Sequence, residues 1–494
     1  MQDMLQTITQ QIQLPIMQDL NSSTYYSILI DETTDISIVK QMTLMARYFT
    51  PNMELKTTFL ELIDLPDGKA DTIMTSLKNF FTTHQLDTSR LIGFGSDGAS
   101  VMVGRKTGVA TQLKAINPEM LNVHCIAHRL ALASGQASSN IPYLKKFKDI
   151  MRQLFYFYQN SAVRMHGLKE IENILGDPVV KLKDICDTRW LSHLNSVEAV
   201  KRCHPALIAS LEREASERTD ATAAGLAMFV KSPFFLCAIA MLLDTLPHLN
   251  RLSKLFQKTA IDFSMVDTLV SSTQLVLTNL LDNPGPNTKD IATYFNSLEE
   301  YGVKYKQTEV DRFQEQVYQP FINNVISNLH DRFPDTSVLD SFSVFDPDLL
   351  DQRDPSTNEY LQFQKLKKLA KQFPSIGTSD AAEEEFTSLR NIIASKMKDQ
   401  TSRQVLEKTA KMTDLYPILS KYCQIALVVP VSTADCERTF STLNRVKSIL
   451  RNRLSQHILN CLMTISTEGP SIQNFDFQAC VTAFAQKKRR KLNL

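Results

Sequence analysis

Three runs of sequence between residues 25 and 65 decide the fold of this chain: YYSILIDE (25–32), QMTLMARYFT (41–50) and TTFLELIDL (57–65). Each run is rich in β-branched or aromatic residues, and short polar breaks separate the runs, which is typical of consecutive strands. The runs therefore predict an antiparallel meander of three strands. Next, ADTIMTSLKNFFTTH (70–84) has its apolar residues at helical spacing, and LIGF (91–94) predicts a fourth strand that leads into GSDGAS (95–100).

The segments that follow continue the alternation of helices and strands. We predict a helix over residues 108–116, a strand at LNVHC (121–125) and a further helix that starts near Ala127. The resulting order, β-β-β-α-β-α-β-α, is that of an RNase H-like core, whose sheet carries acidic residues at the ends of its strands. The predicted fold class is therefore α/β, with an RNase H-like catalytic core in which the first and fourth strands are neighbours.

After about residue 145 the apolar residues recur at helical spacing, which predicts a large all-α insertion that interrupts the core. Within it, DNPGPNT (282–288) predicts a loop and FDPDLLDQRDPSTNE (345–359) predicts an acidic connector. C-terminal helices then close the core. The predicted parts are a polar N-terminal segment (1–20), the first part of the core (21–145), the helical insertion (146–415), a C-terminal region that completes the core (416–470) and a basic tail (471–494).

Composition restricts the class of protein. With 494 residues, of which 43% are hydrophobic, the chain is long enough for two or three packed units. Its 54 Lys and Arg residues balance 53 Asp and Glu residues, so any binding to nucleic acid has to come from local basic patches.

Two further features concern membranes and oxidation. The longest notable charge-free apolar run, residues 232–243, is shorter than the ~20 residues of a membrane helix, so we predict no membrane span. The eight cysteines are scattered and form no CxxC pair, which indicates a reducing compartment in which most of them are buried thiols.

Acidic residues stand where strands are predicted to end. Asp31 ends the first apolar strand and Asp97 ends the fourth, so neighbouring strands would project both carboxylates from one edge of the sheet, where they could share hard cations. Taken singly, an Asp at a strand end is more often a turn or capping residue. Glu437 lies far away in sequence on a helix predicted to begin near Ala434, and by itself it would be a solvated helix residue.

Five motifs occur in order along the chain. They are IDETTD (30–35), GSDGASVMVG (95–104), HCIAHRLAL (124–132), DTRWLSH (187–193) and PVSTADCERTFSTLNRVKSILRNRL (430–454). In this order they resemble the motifs of hAT superfamily DNA transposases, and the resemblance covers about residues 20–470. It is closest to the vertebrate domesticated or zinc-finger-associated branch, which includes zinc finger protein 862-like proteins.

The resemblance implies a DDE catalytic triad, with Asp31, Asp97 and Glu437 as its first, second and third carboxylates. All three would be metal ligands. Two Mg²⁺ or Mn²⁺ ions would then promote an in-line phosphoryl transfer that cleaves and joins DNA strands.

The same resemblance implies that the C-terminal region is a dimerisation segment, so we expect a homodimer or higher oligomer. The apolar side chains expected to supply the contact are Leu443, Val446, Ile449, Leu450, Leu454, Ile458 and Leu459. The basic candidates for DNA contact in this segment are Arg445, Lys447 and Arg451, although their spacing spreads them round the helix and a solvated face is the default interpretation. KKRRK (487–491) indicates nuclear localisation or a tail that contacts phosphate.

Two pairs of residues, Cys125 with His128 and Arg189 with Trp190, can be interpreted in more than one way. Cys125 and His128 lie one helical turn apart, and one such pair cannot complete a tetrahedral zinc site. His128 either contacts phosphate or orients a carboxylate, as the resemblance implies, or is a hydrogen-bonded residue beside a packed cysteine. Trp190, the only Trp, either belongs to a core or, as the resemblance implies, stacks on a base flipped from the DNA while Arg189 lies near phosphate.

The leading hypothesis is a nuclear hAT transposase-like protein with an intact triad, capable of metal-dependent DNA strand cleavage and transfer. No Cys or His precedes the first strand, so we expect a separate zinc-finger protein to supply targeting. The alternative is a catalytically idle, domesticated transposase that acts as a dimerising regulator and binds DNA or chromatin. An RNase H-type hydrolase of RNA is a third hypothesis, which the helical insertion and the C-terminal motif disfavour.

Overall fold

The computed structural model describes residues 2–176, 182–183, 193–258, 263–333, 338–350 and 355–487. The chain divides into two compact units. Unit 1 comprises Met1–His128, Gln257–Val266 and Asp335–Leu494, and unit 2 comprises Arg129–Phe256 and Asp267–Pro334. Unit 2 is therefore shorter than the helical insertion predicted over residues 146–415, because the chain after residue 335 rejoins the unit that contains the sheet.

Unit 1 is built on one five-stranded sheet. Its strands are β1 (Tyr26–Thr34), β2 (Lys40–Phe49), β3 (Leu55–Leu65), β4 (Leu91–Ser96) and β5 (Leu121–His124). Their order across the sheet is β3-β2-β1-β4-β5, in which β1–β2 and β2–β3 are antiparallel whereas β1–β4 and β4–β5 are parallel. The predicted meander is confirmed, and so is the prediction that the first and fourth strands are neighbours.

The helices are numbered along the chain. The first group is α1 (Gln2–Ser22), α2 (Ala70–Thr83), α3 (Ser100–Val103), α4 (Val109–Ile116) and α5 (Ile126–Ser139). The second group is α6 (Pro142–Gln159), α7 (Ala162–Leu175), α8 (His193–Arg202), α9 (His204–Glu217), α10 (Ala221–Val230), α11 (Pro233–Phe256), α12 (Phe263–Asp282), α13 (Pro286–Lys289), α14 (Ile291–Asn296), α15 (Gln307–Phe313) and α16 (Gln319–Arg332). The last group is α17 (Pro347–Leu350), α18 (Pro355–Gln372), α19 (Ser379–Lys396), α20 (Ser402–Thr409), α21 (Pro417–Val428), α22 (Ala434–Val446), α23 (Gln456–Glu468) and α24 (Phe477–Lys487).

The two faces of the sheet bury different helices. Ile28 and Ile30 of β1 are buried together with apolar residues of α1, α2 and α4 on one face. Leu29, which the alternation of side chains turns to the opposite face, is buried with Met45 of β2 and with residues of α22 and α23. Because both faces are covered, β1 is apolar at consecutive positions rather than at alternate ones.

The N-terminal segment is an element that the sequence analysis did not assign. Residues 1–20 are predicted only as a polar segment, whereas the structure has the helix α1 there. Its Ile12 and Leu20 are buried, and Thr9 Oγ1 donates a hydrogen bond to the carbonyl of Cys461 in α23. The pattern of apolar residues in this Gln-rich helix is weak, because few of its side chains are buried and some of the buried ones are threonines.

Unit 2 consists of helices and their connections over the residues described in it. By length and composition α11 could cross a membrane, but 67% of its apolar window is buried inside the fold. A mostly buried core helix has the same length and composition as such a span. Of the loop predicted at residues 282–288, only residues 283–285 lie between α12 and α13, because Asp282 ends α12 and residues 286–288 belong to α13.

The cysteines that the structure describes are free and buried: Cys125, Cys203, Cys237, Cys423, Cys436, Cys461 and Cys480. This agrees with the prediction of buried thiols. Cys186 lies outside the described residues.

A buried ion pair joins the turn after β1 to the end of α22. Lys447 Nζ lies 2.5 Å from Asp35 Oδ2, and the two side chains are 6% and 1% exposed. Burial raises the pKa of Asp35, but hydrogen bonds from Lys447, Val39 and Ser37, together with the charge of Lys447, lower that pKa by more, so it lies below its ordinary value. Lys447, a candidate for DNA contact, is thus committed to an internal ion pair.

We predict that Lys447→Met lowers the free energy of unfolding at neutral pH by ~3–5 kcal/mol, because it leaves the Asp35 carboxylate buried without its cation. Urea denaturation measures the change. Lys40→Met breaks a more exposed ion pair with Glu32, with side chains 39% and 15% exposed, and is expected to cost less than ~1 kcal/mol. Similar costs for the two substitutions would contradict the prediction.

The pH dependence of the Lys447→Met effect follows from the lowered pKa of Asp35. Stabilisation by a carboxylate of lowered pKa is present above its ordinary pKa and is lost as the pH falls through the lowered value. The difference between wild type and Lys447→Met should therefore narrow in acid, below the usual titration range of Asp. Denaturation curves at several pH values measure this narrowing.

Candidate active site

Asp31 and Asp97 stand at the same edge of the sheet. In the parallel pairing of β1 with β4, Leu29 lies opposite Gly95. Continuing this register by two residues sets Asp31 opposite Asp97, the first residue after β4. Because side chains alternate along a strand, Asp31 shares the face of Leu29, which is the face that α22 covers. The strand pairing thus brings the two predicted carboxylates to one edge.

Both aspartates are half-buried and hydrogen-bonded to the backbone. Asp31 Oδ1 accepts the N–H of Glu32, and Asp97 Oδ1 accepts the N–H of Ala99, each at 2.9 Å. The second contact is that of a turn residue, which is the alternative role considered for these side chains. It also orients the carboxylate and is therefore compatible with ligand binding.

Glycines in β4 allow a proline to lie directly on the sheet. A Cβ atom added to Gly95 would stand 2.8 Å from Pro430 Cγ, and one added to Gly93 would stand 3.2 Å from Pro430 Cδ. A larger residue at position 95 would therefore displace Pro430. Since Pro430 lies between α21 and α22, this contact places the connection that leads into α22 against the sheet.

Backbone hydrogen bonds hold the same connection to the end of β5. The N–H of Ile126 donates to the carbonyl of Val431, and the N–H of Thr433 donates to Cys125 Sγ, both at 3.2 Å. Cys125 is thus a buried, hydrogen-bonded residue, as the packed-cysteine interpretation proposes. Helix α22 then begins at Ala434, where the sequence predicts it.

Glu437 lies in the first turn of α22 and is half-buried. Its neighbour Cys436 is buried in the same cluster as Leu29 of β1. Burial raises the pKa of the Cys436 thiol, and the negative charges of Asp31, Asp435 and Glu437 raise it further. Asp31 and Glu437 are therefore both close enough to one buried sulfur to act on it electrostatically, although about 400 residues separate them in sequence.

Two histidines extend this polar edge. His124, the last residue of β5, and His128, in the first turn of α5, have ring centroids 5.6 Å apart. The His124 ring lies directly on Gly98, where an added Cβ would stand 2.3 Å from Nε2. Gly98 also has a φ of 77°, in the left-handed region that favours glycine. The sequence analysis selected His128 but not His124, although the position of His124 at the end of a predicted strand was a usable signal.

The donor atoms at this edge suit a hard cation. Asp31, Asp97 and Glu437 supply carboxylate oxygens, the ligands that Mg²⁺ and Mn²⁺ prefer. Over the described part of the chain, however, no group of three or more His, Cys, Asp or Glu side chains is arranged to hold a metal ion. The residues fit the ion by their chemistry, and the pairing of β1 with β4 brings two of the three, Asp31 and Asp97, to one edge.

Two family models match separate parts of the chain. Residues 1–108, which contain Asp31 and Asp97, match a family described as "ZMYM1/FAM200, RNase-like domain". Residues 388–469, which contain Glu437, match the "hAT family C-terminal dimerisation region". The matches support a hAT-like, domesticated-transposase family. They also support an RNase H-like assignment for the sheet and suggest self-association of the hAT-like chain.

Curated relatives match a smaller part of the hAT-like chain. The "General transcription factor II-I repeat domain-containing protein 2" of Mus musculus is 27% identical over 124 residues, which are 23% of this chain and 13% of the mouse protein. The Bos taurus protein of the same name is 27% identical over 130 residues, which are 24% of this chain and 13% of that protein. The chain thus aligns with only a small part of these relatives.

The expected dimerisation residues of the hAT-like chain fall into three groups. Those buried in the core of the chain itself are Leu443, Val446 and Leu459. Those that are half-buried are Leu454 and Ile458. Those in solvent are Ile449 and Leu450, which are 76% and 98% exposed. Only the last group presents a largely free surface to another molecule.

The expected DNA-contact residues are also distributed unevenly. Arg445 and Arg451 are exposed, and Arg445 donates to Thr442 Oγ1 at 2.9 Å. Lys447 is held in its buried pair with Asp35. Arg189 and Trp190 lie outside the described residues, as does all of the 487–491 basic run except its first residue.

We predict that Gly98→Ala destabilises the hAT-like fold by ~1–3 kcal/mol, because the new methyl group meets the His124 ring in a left-handed backbone conformation. In a His124→Ala background the steric part should disappear, and the remaining cost should be ~1 kcal/mol. Urea denaturation of the single and double variants measures this coupling.

Gly176→Ala is the matched control, because it measures only the cost of placing Ala in a left-handed backbone conformation. Gly176 has a φ of 72° and no atom within 4 Å of an added Cβ, so its substitution should cost ~1 kcal/mol. An equal cost of Gly98→Ala with and without His124 would show that the ring does not restrict the Asp97 turn.

Proposed function

We propose that this hAT-like chain is a DDE-type enzyme that cleaves and joins DNA strands with the help of divalent metal ions. The observation that carries the proposal is the shared edge of the sheet. The pairing of β1 with β4 sets Asp31 beside Asp97. Pro430 packs on β4 and leads into α22, which covers the same face of the sheet and has Glu437 in its first turn. The proposal takes these three carboxylates, from distant parts of the chain, to be the ligands of one cation site.

Each carboxylate has a distinct support. Asp31 and Asp97 would hold Mg²⁺ or Mn²⁺, and the backbone N–H groups of Glu32 and Ala99 orient them from 2.9 Å. Glu437 would close the site from the helix that covers this face. When bound, two such ions supply a deprotonated nucleophile and stabilise the leaving oxygen of an in-line phosphoryl transfer.

The finer parts of the proposal rest on the motif resemblance. They are phosphate contact by His128, base stacking by Trp190 beside Arg189, and contact of Arg445 and Arg451 with DNA. They also include membership of the zinc finger protein 862-like branch, homodimer formation, nuclear localisation and targeting by a separate zinc-finger protein.

A second candidate function is a domesticated, catalytically idle regulator that dimerises and binds DNA or chromatin. The described residues hold no assembled group of three metal-binding side chains, which favours this candidate. The names of the mouse and bovine relatives, which refer to a transcription factor repeat, also favour a regulatory protein.

Nicking of a labelled DNA duplex by the purified chain in Mn²⁺ separates the two functions. We predict that wild type nicks the duplex and that Asp31→Asn, Asp97→Asn and Glu437→Gln each reduce the rate by at least about a thousandfold, since each removes a ligand charge. Binding of Mn²⁺, measured by calorimetry, should weaken in the same three variants.

Glu32→Gln is the matched control, because Glu32 is the next carboxylate along β1 and pairs with Lys40 rather than joining the edge. It should retain the wild-type rate. Nicking that survives in all three triad variants would refute the triad. A folded wild type that binds DNA but neither binds Mn²⁺ nor nicks would support the regulator instead.

A further inference from the structure

The turn between α22 and α23 carries two large apolar side chains in solvent. The N–H of Arg451 donates to the carbonyl of Ser448 at 2.9 Å, which closes a tight turn with Ile449 and Leu450 at its tip. These side chains are 76% and 98% exposed. Neither contributes appreciably to the core of its own chain.

The turn between β1 and β2 carries two further exposed apolar side chains and contacts the same stretch of chain. Ile36 is 47% exposed and Ile38 is 88% exposed. Ser37 Oγ donates to the carbonyl of Asn452 at 3.1 Å, so this turn contacts the chain just after Ile449 and Leu450. The Asp35–Lys447 ion pair joins the two turns just before them. We name the set Ile36, Ile38, Ile449 and Leu450 the apolar tip.

Four exposed apolar residues held together in two pinned turns differ from the scattered apolar residues of an ordinary surface. Single exposed apolar side chains are common and need no explanation. A cluster of exposed apolar side chains indicates contact with another molecule, because exposing a contiguous apolar patch to water is unfavourable.

The stretch of chain that carries Ile449 and Leu450 is strongly basic. Residues 438–467 contain no Asp or Glu but contain Arg438, Arg445, Lys447, Arg451 and Arg453. Arg438 and Lys447 are paired with Asp435 and Asp35, whereas Arg445, Arg451 and Arg453 are exposed. A basic rim repels a second copy of the same surface and attracts a polyanion, so charge complementarity favours DNA over a partner protomer.

The apolar tip also lies at the edge of the sheet where the carboxylates stand. Asp35, whose ion pair with Lys447 joins the two turns, follows Asp31 by four residues in the direction of β1.

We propose that the apolar tip is a wedge that enters the DNA between base pairs, while Arg451 and Arg453 contact the flanking phosphates. Proteins that bend DNA unstack base steps with Leu or Ile in this way and hold the backbone with basic residues. The choice of DNA as the occupant rests on the proposed function, whereas the unstacking itself requires only binding.

The test uses the full chain with duplexes that carry 2-aminopurine at successive positions, bound in Ca²⁺ to avoid cleavage. Fluorescence at saturating protein should rise severalfold at one base step, because an unstacked 2-aminopurine is no longer quenched. Leu450→Ser and Ile449→Ser should lose most of this rise.

Two controls separate insertion from binding and from folding. Ile472→Ser, at another side chain of unit 1 that is 78% exposed, should keep the full rise. Arg451→Gln should weaken binding and reduce the slope of log K against log salt by about 0.9, but keep the rise at saturation.

The outcomes distinguish this inference from the proposed function. An unchanged fluorescence rise in Leu450→Ser would overturn the wedge even if wild type nicks DNA. A smaller sedimentation mass for Leu450→Ser than for wild type would also overturn it, because the tip would then be a contact between protomers. If the fluorescence rise depends on Leu450 but the wild type does not nick DNA, the wedge is supported and the proposed cleavage activity is refuted.

Discussion

The candidate active site depends on the packing of Pro430 against Gly93 and Gly95 of β4. Gly93 and Gly95 have no side chains, so the connection after α21 can lie on the sheet instead of above a layer of apolar residues. That close approach places the connection that leads into α22, the helix that carries Glu437, against the sheet. The parallel pairing of β1 with β4 supplies the other half of the constraint, because it fixes Asp31 and Asp97 at one edge.

The Asp35–Lys447 ion pair has a structural role that the sequence around Lys447 does not indicate. Lys447 occurs in a run of basic residues that suggests contact with phosphate, yet its ammonium group is buried against Asp35. The pair is costly to desolvate, and its stabilising value depends on both partners being present. In return it anchors the end of α22 to the β1–β2 turn, and so holds two exposed apolar turns next to each other.

The region that matches the hAT dimerisation family has two physical roles in this chain. Leu443, Val446 and Leu459 bury their side chains against the sheet, so substitutions there would test folding before they tested association. Ile449 and Leu450 make no such contribution and are presented to solvent. A dimerisation segment defined by sequence is therefore partly a core element, and the exposed turn has to be considered separately from it.

The sequence by itself determined the local elements and the residue types of the candidate site. Strand-like runs, a helical period and the strand order indicated the meander, the crossover and the neighbouring positions of the first and fourth strands, because these follow from patterns of adjacent residues. Asp31 and Asp97 could be selected for the same reason. The helix α1 was missed because its buried face includes threonines in a Gln-rich segment, so its pattern of apolar residues is weak. Only the tertiary structure decided that α22, which carries Glu437, packs on the sheet, that the His124 ring lies against Gly98 and that Lys447 is buried. Each of these depends on contact between residues far apart in the chain, and local periodicity carries no information about such contacts.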